Sequence, residues 1–362
     1  YSNAKIRNVI SVVSKILIDR KFAATLDQKL DLVGMGGGQV YDLAGGVARA
    51  AKPDDRVSKS TGVSFVIPSA MERAAVLRFL NDIFDDNQAT LDYVLKLMAS
   101  MLSGHTTDEL FHILIGSGAN GKSKFQELAR LTFGTYYATV PCTLFTQRRA
   151  GSQGCTSAQE HLHNKRAVFV QEPEQGQRLN AGVLKELSGG DVIYSRGLYQ
   201  KGREYKPQAK FVLVSNNLPD VPASDKALWR RLRAVPFDIT FTSKPQGNKE
   251  KKRDNTISSK IPLWAPALQY ILLTEYYPRY KDKKLTTMPK VVREATCSYK
   301  KESCPLNSFI IENVLEDKEA QLADQEELAI MFMNLVRRVR EQYNTNNKRC
   351  PSKKILGTYF EK

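Results

Sequence analysis

The sequence predicts an α/β protein, and three observations lead to that prediction. Between Phe111 and Phe237 short apolar runs alternate with helical segments, which is typical of a largely parallel sheet flanked by helices. A glycine-rich octet directly follows the first of these runs. The 362 residues, of which 42% are hydrophobic, are enough to bury a full core and to form two or three domains.

The charge of the chain predicts a polyanionic partner. Lys and Arg outnumber Asp and Glu by 54 to 38, which gives a formal net charge of +16. Nucleic acid is the leading explanation for such an excess, and a basic surface that only keeps the protein soluble is the alternative. No apolar run reaches the roughly 18 residues of a membrane span, and no basic-then-apolar signal begins the chain, so we expect neither membrane insertion nor secretion.

Cysteine and histidine give no sign of a metal or redox site. The cysteines lack a CxxC pair and fit reduced intracellular thiols better than disulfides or zinc ligands; they are Cys142, Cys155, Cys297, Cys304 and Cys350. His161 and His163 have no Cys or acid at ligand spacing, and His112 alternates into an apolar strand, where we expect it in the core.

The pattern of apolar residues in residues 1–104 predicts a mainly helical domain ahead of the glycine octet. Apolar residues fall at helical spacing from Asn8 to Leu30 and again from Met71 to Met101. Between these segments, the stretch from Met35 to Asp55 has the composition of loops around a short strand pair.

The sequence predicts the α/β core in residues 105–242. It predicts a separate region in residues 243–362. The core strands are expected at FHILI (111–115), YYATV (136–140), AVFVQ (167–171), KFVLVS (210–215) and RAVPF (233–237). The stretch from Ser243 to Lys260 has the composition of an exposed, mobile basic loop that marks a domain boundary. Helical pattern resumes from Leu263 to Tyr277, a basic connector follows, and further helices end in a basic tail.

The glycine octet predicts a site for the phosphates of ATP. It fits the pattern GxxxxGK[ST] between a strand and a helix and consists of Gly116, Ser117, Gly118, Ala119, Asn120, Gly121, Lys122 and Ser123. Glycines let successive backbone N–H groups turn inward, and the helix N-terminus adds its positive dipole end. We expect Lys122 to reach the β- and γ-phosphates and Ser123 to bind Mg²⁺. A plain glycine-rich turn is the alternative.

Polar residues after two further strands supply the groups that hydrolysis needs. Glu172 and Glu174 follow AVFVQ; we assign Glu172 to the Mg²⁺ shell and Glu174 to orienting or deprotonating the attacking water, although the two roles are exchangeable. Asn216 follows KFVLVS, where a neutral amide can contact the γ-phosphate and the water, with Asn217 as the second choice. Exposed carboxylates and an asparagine that only caps a turn are the alternatives.

Arg230 and Arg231 are candidates for stabilising charge in the transition state. An arginine that reaches the γ-phosphate of a neighbouring subunit would serve this purpose. Taken singly, each is better explained as a surface arginine, and only the whole set of motifs favours the catalytic role.

These motifs together resemble those of superfamily 3 helicases. The ordered set is GSGANGKS, NKRAVFVQEPEQG, LKELSGGDVIYSRGLYQ, KFVLVSNNLP and DKALWRRLRAVPF, and it is most similar to the poxvirus-type primase-helicase branch of large DNA viruses, phages and plasmids. The resemblance implies an AAA+-like ATPase core, a helical collar before it and a winged-helix region after it. It also implies a hexameric ring on single-stranded DNA with nucleotide between subunits, so that Arg230 or Arg231 acts in trans.

The third motif resembles the DNA-contacting hairpin of that family. The stretch from Val192 to Pro207 alternates like two strands around a turn at Gln200–Lys201–Gly202. The motif also supplies Lys185, Asp191 and Arg196. The resemblance implies that the hairpin projects into the channel of the ring, where Lys201 and Arg203 contact the DNA backbone. A solvated turn lysine is the alternative for Lys201.

The sequence therefore predicts an ATP-driven replicative DNA helicase that moves on single-stranded or forked DNA as a ring. By resemblance it is the helicase part of a viral primase-helicase at a cytoplasmic replication site, with a primase domain and replication factors as further partners. The sequence contains no visible set of primase carboxylates, so we expect a fragment or a primase-free relative. A nucleotide-switched DNA-binding or origin-melting scaffold with slow ATPase activity is the alternative. A small-molecule kinase is less well supported, because it has no use for the hairpin, the paired arginines or the basic charge.

Overall fold

The structure is a computed structural model that describes residues 2–17, 19, 22–147, 156–174, 177–197 and 202–303, with residues 334, 337, 338 and 341. Apart from those last four residues, the expected winged-helix region from Asn307 to Lys362 lies outside this description. Tyr1–Val221 and Asp225–Tyr299 form one compact unit, and a second unit comprises Pro222–Ser224 and Lys300–Lys362. The domain limits at residues 104 and 242 stay predictions. Within the first unit, the helix that begins at Ile257 packs on helices from both sides of residue 104.

The helices of the described residues are α1 (Asn3–Ile16), α2 (Phe22–Thr25), α3 (Ala70–Ile83), α4 (Gln88–Ser100), α5 (Lys122–Phe133), α6 (Thr143–Thr146), α7 (Ser157–Glu160), α8 (Ala181–Gly189), α9 (Lys226–Trp229), α10 (Ile257–Ile271), α11 (Tyr277–Lys283) and α12 (Lys290–Glu302). A π-helical turn, Leu272–Tyr276, joins α10 to α11.

The strands are β1 (Leu32–Gly34), β2 (Gln39–Asp42), β3 (Val47–Ala50), β4 (Phe111–Ile115), β5 (Tyr137–Val140), β6 (Ala167–Val170), β7 (Ile193–Ser195), β8 (Arg203–Tyr205), β9 (Lys210–Ser215), β10 (Leu232–Pro236), β11 (Thr240–Thr242) and β12 (Glu250–Lys252). The central sheet is wholly parallel, in the order β10-β4-β9-β6-β5. The prediction of an α/β protein with a parallel sheet is confirmed, and all five predicted core strands are present within one residue at either end.

The central strands are apolar on both faces because both faces are buried. Phe111 and Ile113 of β4 pack into one hydrophobic cluster, whereas Leu114 packs into the other. Residues that alternate along β6 and β9 divide between the clusters in the same way. Burial on both sides is typical of parallel strands and explains their continuous apolar runs. As a result, the carboxyl ends of β4, β9 and β6 are held side by side at one edge of the sheet.

The N-terminal region is only partly helical, which corrects one expectation. The apolar pattern from Asn8 to Leu30 does not give one helix, because α1 ends at Ile16 and only the short α2 follows. β1, β2 and β3 then form an antiparallel sheet where only a short strand pair was predicted. The helical pattern from Met71 to Met101 is confirmed as α3 and α4, each capped at its N-terminus by Ser69 and Asn87 respectively.

The basic stretch from Ser243 to Lys260 is partly regular structure, so the prediction of a mobile loop is wrong. β12 pairs in parallel with β11, and α10 begins within the stretch. Ion pairing explains the order, because the Lys251 ammonium lies 3.2 Å from Asp82 and 3.1 Å from Asp86 at the end of α3. The expected basic connector after Tyr277 is also helical in its first half, as α11.

Candidate active site

The glycine octet joins the carboxyl end of β4 to the first residue of α5. Gly118 and Gly121 have φ angles of +103° and +84°, which glycine adopts without strain. A Cβ at Gly116 would lie 2.2 Å from Asn120 Nδ2 and 2.5 Å from Phe237 O, so the loop closes on itself there. At Gly118, by contrast, an added Cβ would meet no atom within 4 Å. The octet therefore has a packed base and an open rim.

Lys122 lies at the base of this loop and not in solvent. It is 5% exposed, and its Nζ donates to the Gly116 carbonyl and, over 3.1 Å, to Asn216 Oδ1. Burial lowers the pKa of Lys122, and the charge of the Glu172 carboxylate opposes that shift. An ammonium group held among oxygen acceptors at the start of a helix favours an anionic ligand at the rim.

Glu172 and Asn216 occupy the ends of the neighbouring strands β6 and β9. The Asn216 backbone N donates to Glu172 Oε1 over 2.6 Å, and its Nδ2 donates to Oε2 over 3.1 Å. Ser215 Oγ also lies 3.4 Å from Oε1. Lys122, Asn216 and Glu172 thus form one connected network across the ends of three strands.

Glu174 lies apart from this network. Its carboxylate accepts a hydrogen bond from Gln177 Nε2 over 3.1 Å, and its side chain is exposed. It lines a cavity of about 290 Å³ between the ends of β6 and β9, together with Pro173, Gln177, Ser215, Asn217 and Leu218. Of the two predicted acids, Glu172 is fixed beside Lys122, whereas Glu174 faces open space. These positions are compatible with a Mg²⁺ ligand at Glu172 and a group that orients or deprotonates water at Glu174, and both roles stay predictions.

The octet fits a bound phosphate chain in one further respect. Asn120 is 4% exposed, and its Nδ2 has no hydrogen-bond partner among the described residues. A buried amide donor without an acceptor is costly and rare in folded proteins. A phosphate oxygen is a suitable acceptor, and Ser123 and Glu172 provide oxygen ligands of the kind Mg²⁺ takes.

The paired arginines lie at the opposite edge of the sheet. Phe111 N, at the amino end of β4, donates to Arg231 O over 2.9 Å, whereas the octet begins one strand length away, roughly 16 Å along β4. Arg231 Nη2 lies 2.6 Å from Glu109 Oε2, and its side chain is 10% exposed. Arg230 is 69% exposed and lies 3.6 Å from the same oxygen. Neither arginine meets the octet of its own chain, and only Arg230 is open to a neighbour.

The predicted hairpin is present, and its tip lies outside the described residues. β7 and β8 pair antiparallel, with Ser195 opposite Arg203. Lys201 is among the residues that the structure does not describe. Arg203 is in an ion pair with Glu160 of α7, and Lys185 pairs with Asp225 over 2.9 Å.

Sequence reasoning missed three side chains at or near these sites. Glu109, Glu160 and Phe241 belong to no motif, and nothing in the local sequence marks them. Phe241 N donates to Ala119 O over 2.7 Å, and its ring lies 3.3 Å from where a Cβ would stand on Gly121. β11 therefore supports the octet from outside.

One further prediction is confirmed, because His112 is 1% exposed and lies in the core. Cys142 is buried and Cys297 is exposed as free thiols, while the remaining cysteines lie outside the description. Within the described ranges, three or more His, Cys, Asp or Glu side chains nowhere gather as a metal site would require. None of the described helices has the length and apolar character needed to cross a bilayer.

Residues 114–231 match a family described as of unknown function (DUF5906). The matched range begins in β4 and ends at Arg231. It therefore includes the glycine octet, both predicted acids and Asn216, although it is less than half of the chain.

Relatives with assigned names come from viruses. A protein of Acanthamoeba polyphaga mimivirus, described as a putative helicase, is 31% identical over 98% of this chain and 37% of its own length. One from Invertebrate iridescent virus 6, also described as a putative helicase, is 30% identical over 63% of this chain and 24% of its length. An African swine fever virus protein (isolate Pig/Kenya/KEN-50/1950), described as a putative primase, is 25% identical over 94% of this chain and 36% of its length. The homologues are viral proteins with helicase and primase names. This chain spans less than two fifths of each of them.

A solved structure shares the fold over most of the chain. The apo structure of the NrS-1 C terminal region aligns with a TM-score of 0.50 and 15% sequence identity, covering 71% of this chain and 62% of that chain. The likeness is one of fold.

Proposed function

We propose that this chain is the helicase part of a viral primase-helicase, which binds and hydrolyses ATP and moves along single-stranded DNA as a ring of identical subunits. The observation that carries the proposal is the network of Lys122, Asn216 and Glu172 across the carboxyl ends of three adjacent parallel strands. An ammonium, a neutral amide and a carboxylate at these positions are the groups that phosphoryl transfer to water requires.

Each group of the chain has one task in this proposal. The backbone N–H groups of the octet and Lys122 bind the phosphates and hold their negative charge. Ser123 and Glu172 would hold Mg²⁺, which would neutralise charge on the phosphate oxygens when bound. Asn216 keeps Glu172 in place and presents its amide beside the terminal phosphate. Glu174 accepts a proton from, or orients, the attacking water.

The position of Arg230 supports the proposed ring. It lies at the edge of the sheet away from its own octet and is exposed, so it is placed to serve a site on a second copy. Arg231, buried against Glu109, positions that segment. A subunit interface that contains the nucleotide would explain why the site lacks an arginine from its own chain among the described residues.

DNA as the substrate rests on charge, the hairpin and the names of the homologues. The net charge is +16, and β7 and β8 form the antiparallel pair expected of the DNA-contacting hairpin. The viral relatives suggest work at a replication site, which we place in the host cytoplasm with a primase domain and replication factors as partners.

The test is ATP hydrolysis by the protein with and without single-stranded DNA, together with strand separation on forked DNA. We expect DNA to stimulate ATP hydrolysis by the parent protein. In Lys122→Ala, we expect the rate of ATP hydrolysis to fall by at least roughly 100-fold. Lys124→Ala is the matched control, because that lysine is on the same helix but bonds Glu127 and Ser258 instead. A Lys122→Ala protein that hydrolyses ATP at the parent rate would exclude this site.

A second function is favoured by one detail of the network. Both oxygens of Glu172 already accept hydrogen bonds from Asn216, an arrangement that limits their use in hydrolysis and is compatible with a slow, nucleotide-switched DNA-binding or origin-melting scaffold. ATP-dependent assembly without separation of forked DNA would support the scaffold. Assembly with separation would support the helicase.

A further inference from the structure

The turn-side end of the β7–β8 ladder is held by one carboxylate. Glu160, the last residue of α7, accepts a hydrogen bond from Ser195 Oγ over 2.6 Å. The same carboxylate accepts from Arg203 Nε over 3.2 Å and from Arg203 Nη2. Ser195 ends β7 and Arg203 begins β8, so Glu160 joins the two strands at the end of the ladder that adjoins the turn.

Neighbouring contacts extend this attachment along α7. Thr156 N donates to Arg196 O over 3.0 Å, and Arg196 N donates to Thr156 Oγ1 over 2.8 Å. Tyr205 Oη donates to Gln159 O. The hairpin is thus bound to α7 from both strands, and Glu160 is the charged member of the contact.

The charge of Arg203 is already compensated in this arrangement. The Glu160 side chain is 17% exposed and that of Arg203 is 46% exposed. A DNA phosphate that took Arg203 away would leave Glu160 partly buried without its counter-charge, which is unfavourable. Burial acts to raise the pKa of Glu160, but hydrogen bonds from Arg203 and Ser195 outweigh it and lower the pKa, so the carboxylate is ionised at neutral pH.

We propose that Glu160 and Arg203 are positioning residues that fix the turn-side end of the hairpin ladder on α7, and that Arg203 does not itself contact DNA. The proposal rests on the proposed helicase function for its consequence and revises the expectation for Arg203.

The attachment also has a defined place relative to the active site. In the chain, β6 begins seven residues after α7 ends, and Glu172 lies just beyond β6. In the same way, β9 follows β8, and Asn216 lies just beyond β9. α7 and the hairpin are therefore each connected through the chain to one of the two strands that end in the network. Loosening the contact between α7 and the hairpin is expected to reduce the stimulation of hydrolysis by DNA while leaving hydrolysis without DNA unchanged.

The first experiment measures the hairpin without DNA or nucleotide. Hydrogen exchange of residues 193–205 is compared between the parent, Glu160→Arg, Arg203→Glu and the double reversal. Each single change is expected to raise the hydrogen-exchange rate roughly two- to fivefold, which corresponds to the energy of a partly exposed ion pair. The double reversal is expected to return the rate to that of the parent. Glu204→Arg, a charge reversal at the exposed neighbour of Arg203, is the control and should change nothing. Equal exchange in all five proteins would overturn the positioning role.

The second experiment measures affinity for single-stranded DNA across a salt series. If Arg203 only positions the hairpin, Arg203→Glu weakens binding without changing the slope of log affinity against log salt, and the double reversal recovers the loss. If Arg203 contacts a phosphate, the slope falls by about 0.7 and the double reversal recovers nothing. That second result would overturn the proposal.

The two experiments separate this inference from the proposed function. If DNA does not stimulate ATP hydrolysis by the parent protein, the proposed helicase function is rejected, but the exchange result still tests the positioning role. Altered exchange with full DNA stimulation in Glu160→Arg would reject the link to the active site.

Discussion

Asn216 and Glu172 are joined by two hydrogen bonds, from the Asn216 backbone N at 2.6 Å and from its Nδ2 at 3.1 Å. Because the amide nitrogen is taken by a carboxylate, the amide oxygen faces Lys122, 3.1 Å away. The orientation of this amide is therefore fixed by partners of opposite charge on its two sides.

Replacing Asn216 by Asp should reduce ATP hydrolysis by about 100-fold or more, because a second carboxylate would repel Glu172 and remove the side-chain donor to Glu172 Oε2. Steady-state turnover at saturating ATP measures the effect. Asn217→Asp, one residue further along, is the matched control and should retain most of the activity. A larger loss in Asn217→Asp than in Asn216→Asp would transfer the role to Asn217.

Glu172→Gln and Glu174→Gln should fail in different ways. We expect Glu172→Gln to weaken nucleotide binding in the presence of Mg²⁺, because it removes a charged ligand beside Lys122. Glu174→Gln should bind nucleotide normally and lose turnover, because the group that accepts the proton is gone. Binding of a non-hydrolysable ATP analogue across a Mg²⁺ titration, set beside turnover, separates the two. The reverse pattern would show that the roles are exchanged.

Arg230 and Arg231 should differ in what their removal costs. Arg231→Ala is expected to lower the free energy of unfolding by roughly 1–3 kcal/mol, since it removes a buried partner of Glu109. Arg230→Ala should leave stability unchanged and abolish DNA-stimulated hydrolysis. Urea denaturation and turnover measure the two effects.

A mixing experiment tests whether Arg230 acts on a second copy. Neither Arg230→Ala nor Lys122→Ala should hydrolyse ATP alone, whereas a mixture should recover part of the activity, because one copy supplies an intact octet and the next an intact arginine. No recovery in mixed assemblies of confirmed composition would argue that Arg230 does not act in trans.

His112 should make stability depend on pH. Burial, together with the charge of Arg233, lowers its pKa to about 3, against roughly 6.5 in an unfolded chain. Between these values the unfolded state binds a proton that the folded state does not, so the stabilisation present above pH 6.5 is lost as the pH falls. We expect about 2 kcal/mol less stability at pH 5 than at pH 7 from this group.

His112→Gln provides the comparison for that pH effect. Glutamine can still bond Tyr93, whose hydroxyl lies 2.9 Å from His112 Nε2, but does not titrate in this range. Urea denaturation at the two pH values should show a smaller loss of stability in the variant. Equal losses in both proteins would mean that other groups cause the pH dependence.

The parallel sheet and the octet were predictable because their signals are local. An apolar run such as FHILI marks a strand buried on both faces, and the spacing of Gly116, Gly121 and Lys122 marks a phosphate-binding turn wherever a strand precedes and a helix follows. The proximity of Asn216 and Glu172 could be predicted for a related reason, since polar residues at the carboxyl ends of parallel strands converge on one edge of the sheet.

The missed features depend on residues that are distant in the sequence. Lys251 appears in a basic run that suggests a solvated loop, and only its approach to Asp82 and Asp86 makes the segment regular. Glu109 and Glu160 are ordinary acidic residues until the fold brings arginines to them. Arg231 was paired with Arg230 as an equal candidate because adjacency in sequence does not reveal which of two side chains is buried.

The separation of the octet from Arg230 along β4 has a consequence for how the protein behaves at low abundance. If each site is completed by a second copy, the rate of ATP hydrolysis per molecule depends on protein concentration as well as on ATP concentration. Dilution would then stop hydrolysis without any inhibitor. A few copies early in an infection would hydrolyse no ATP until their concentration was high enough for assembly.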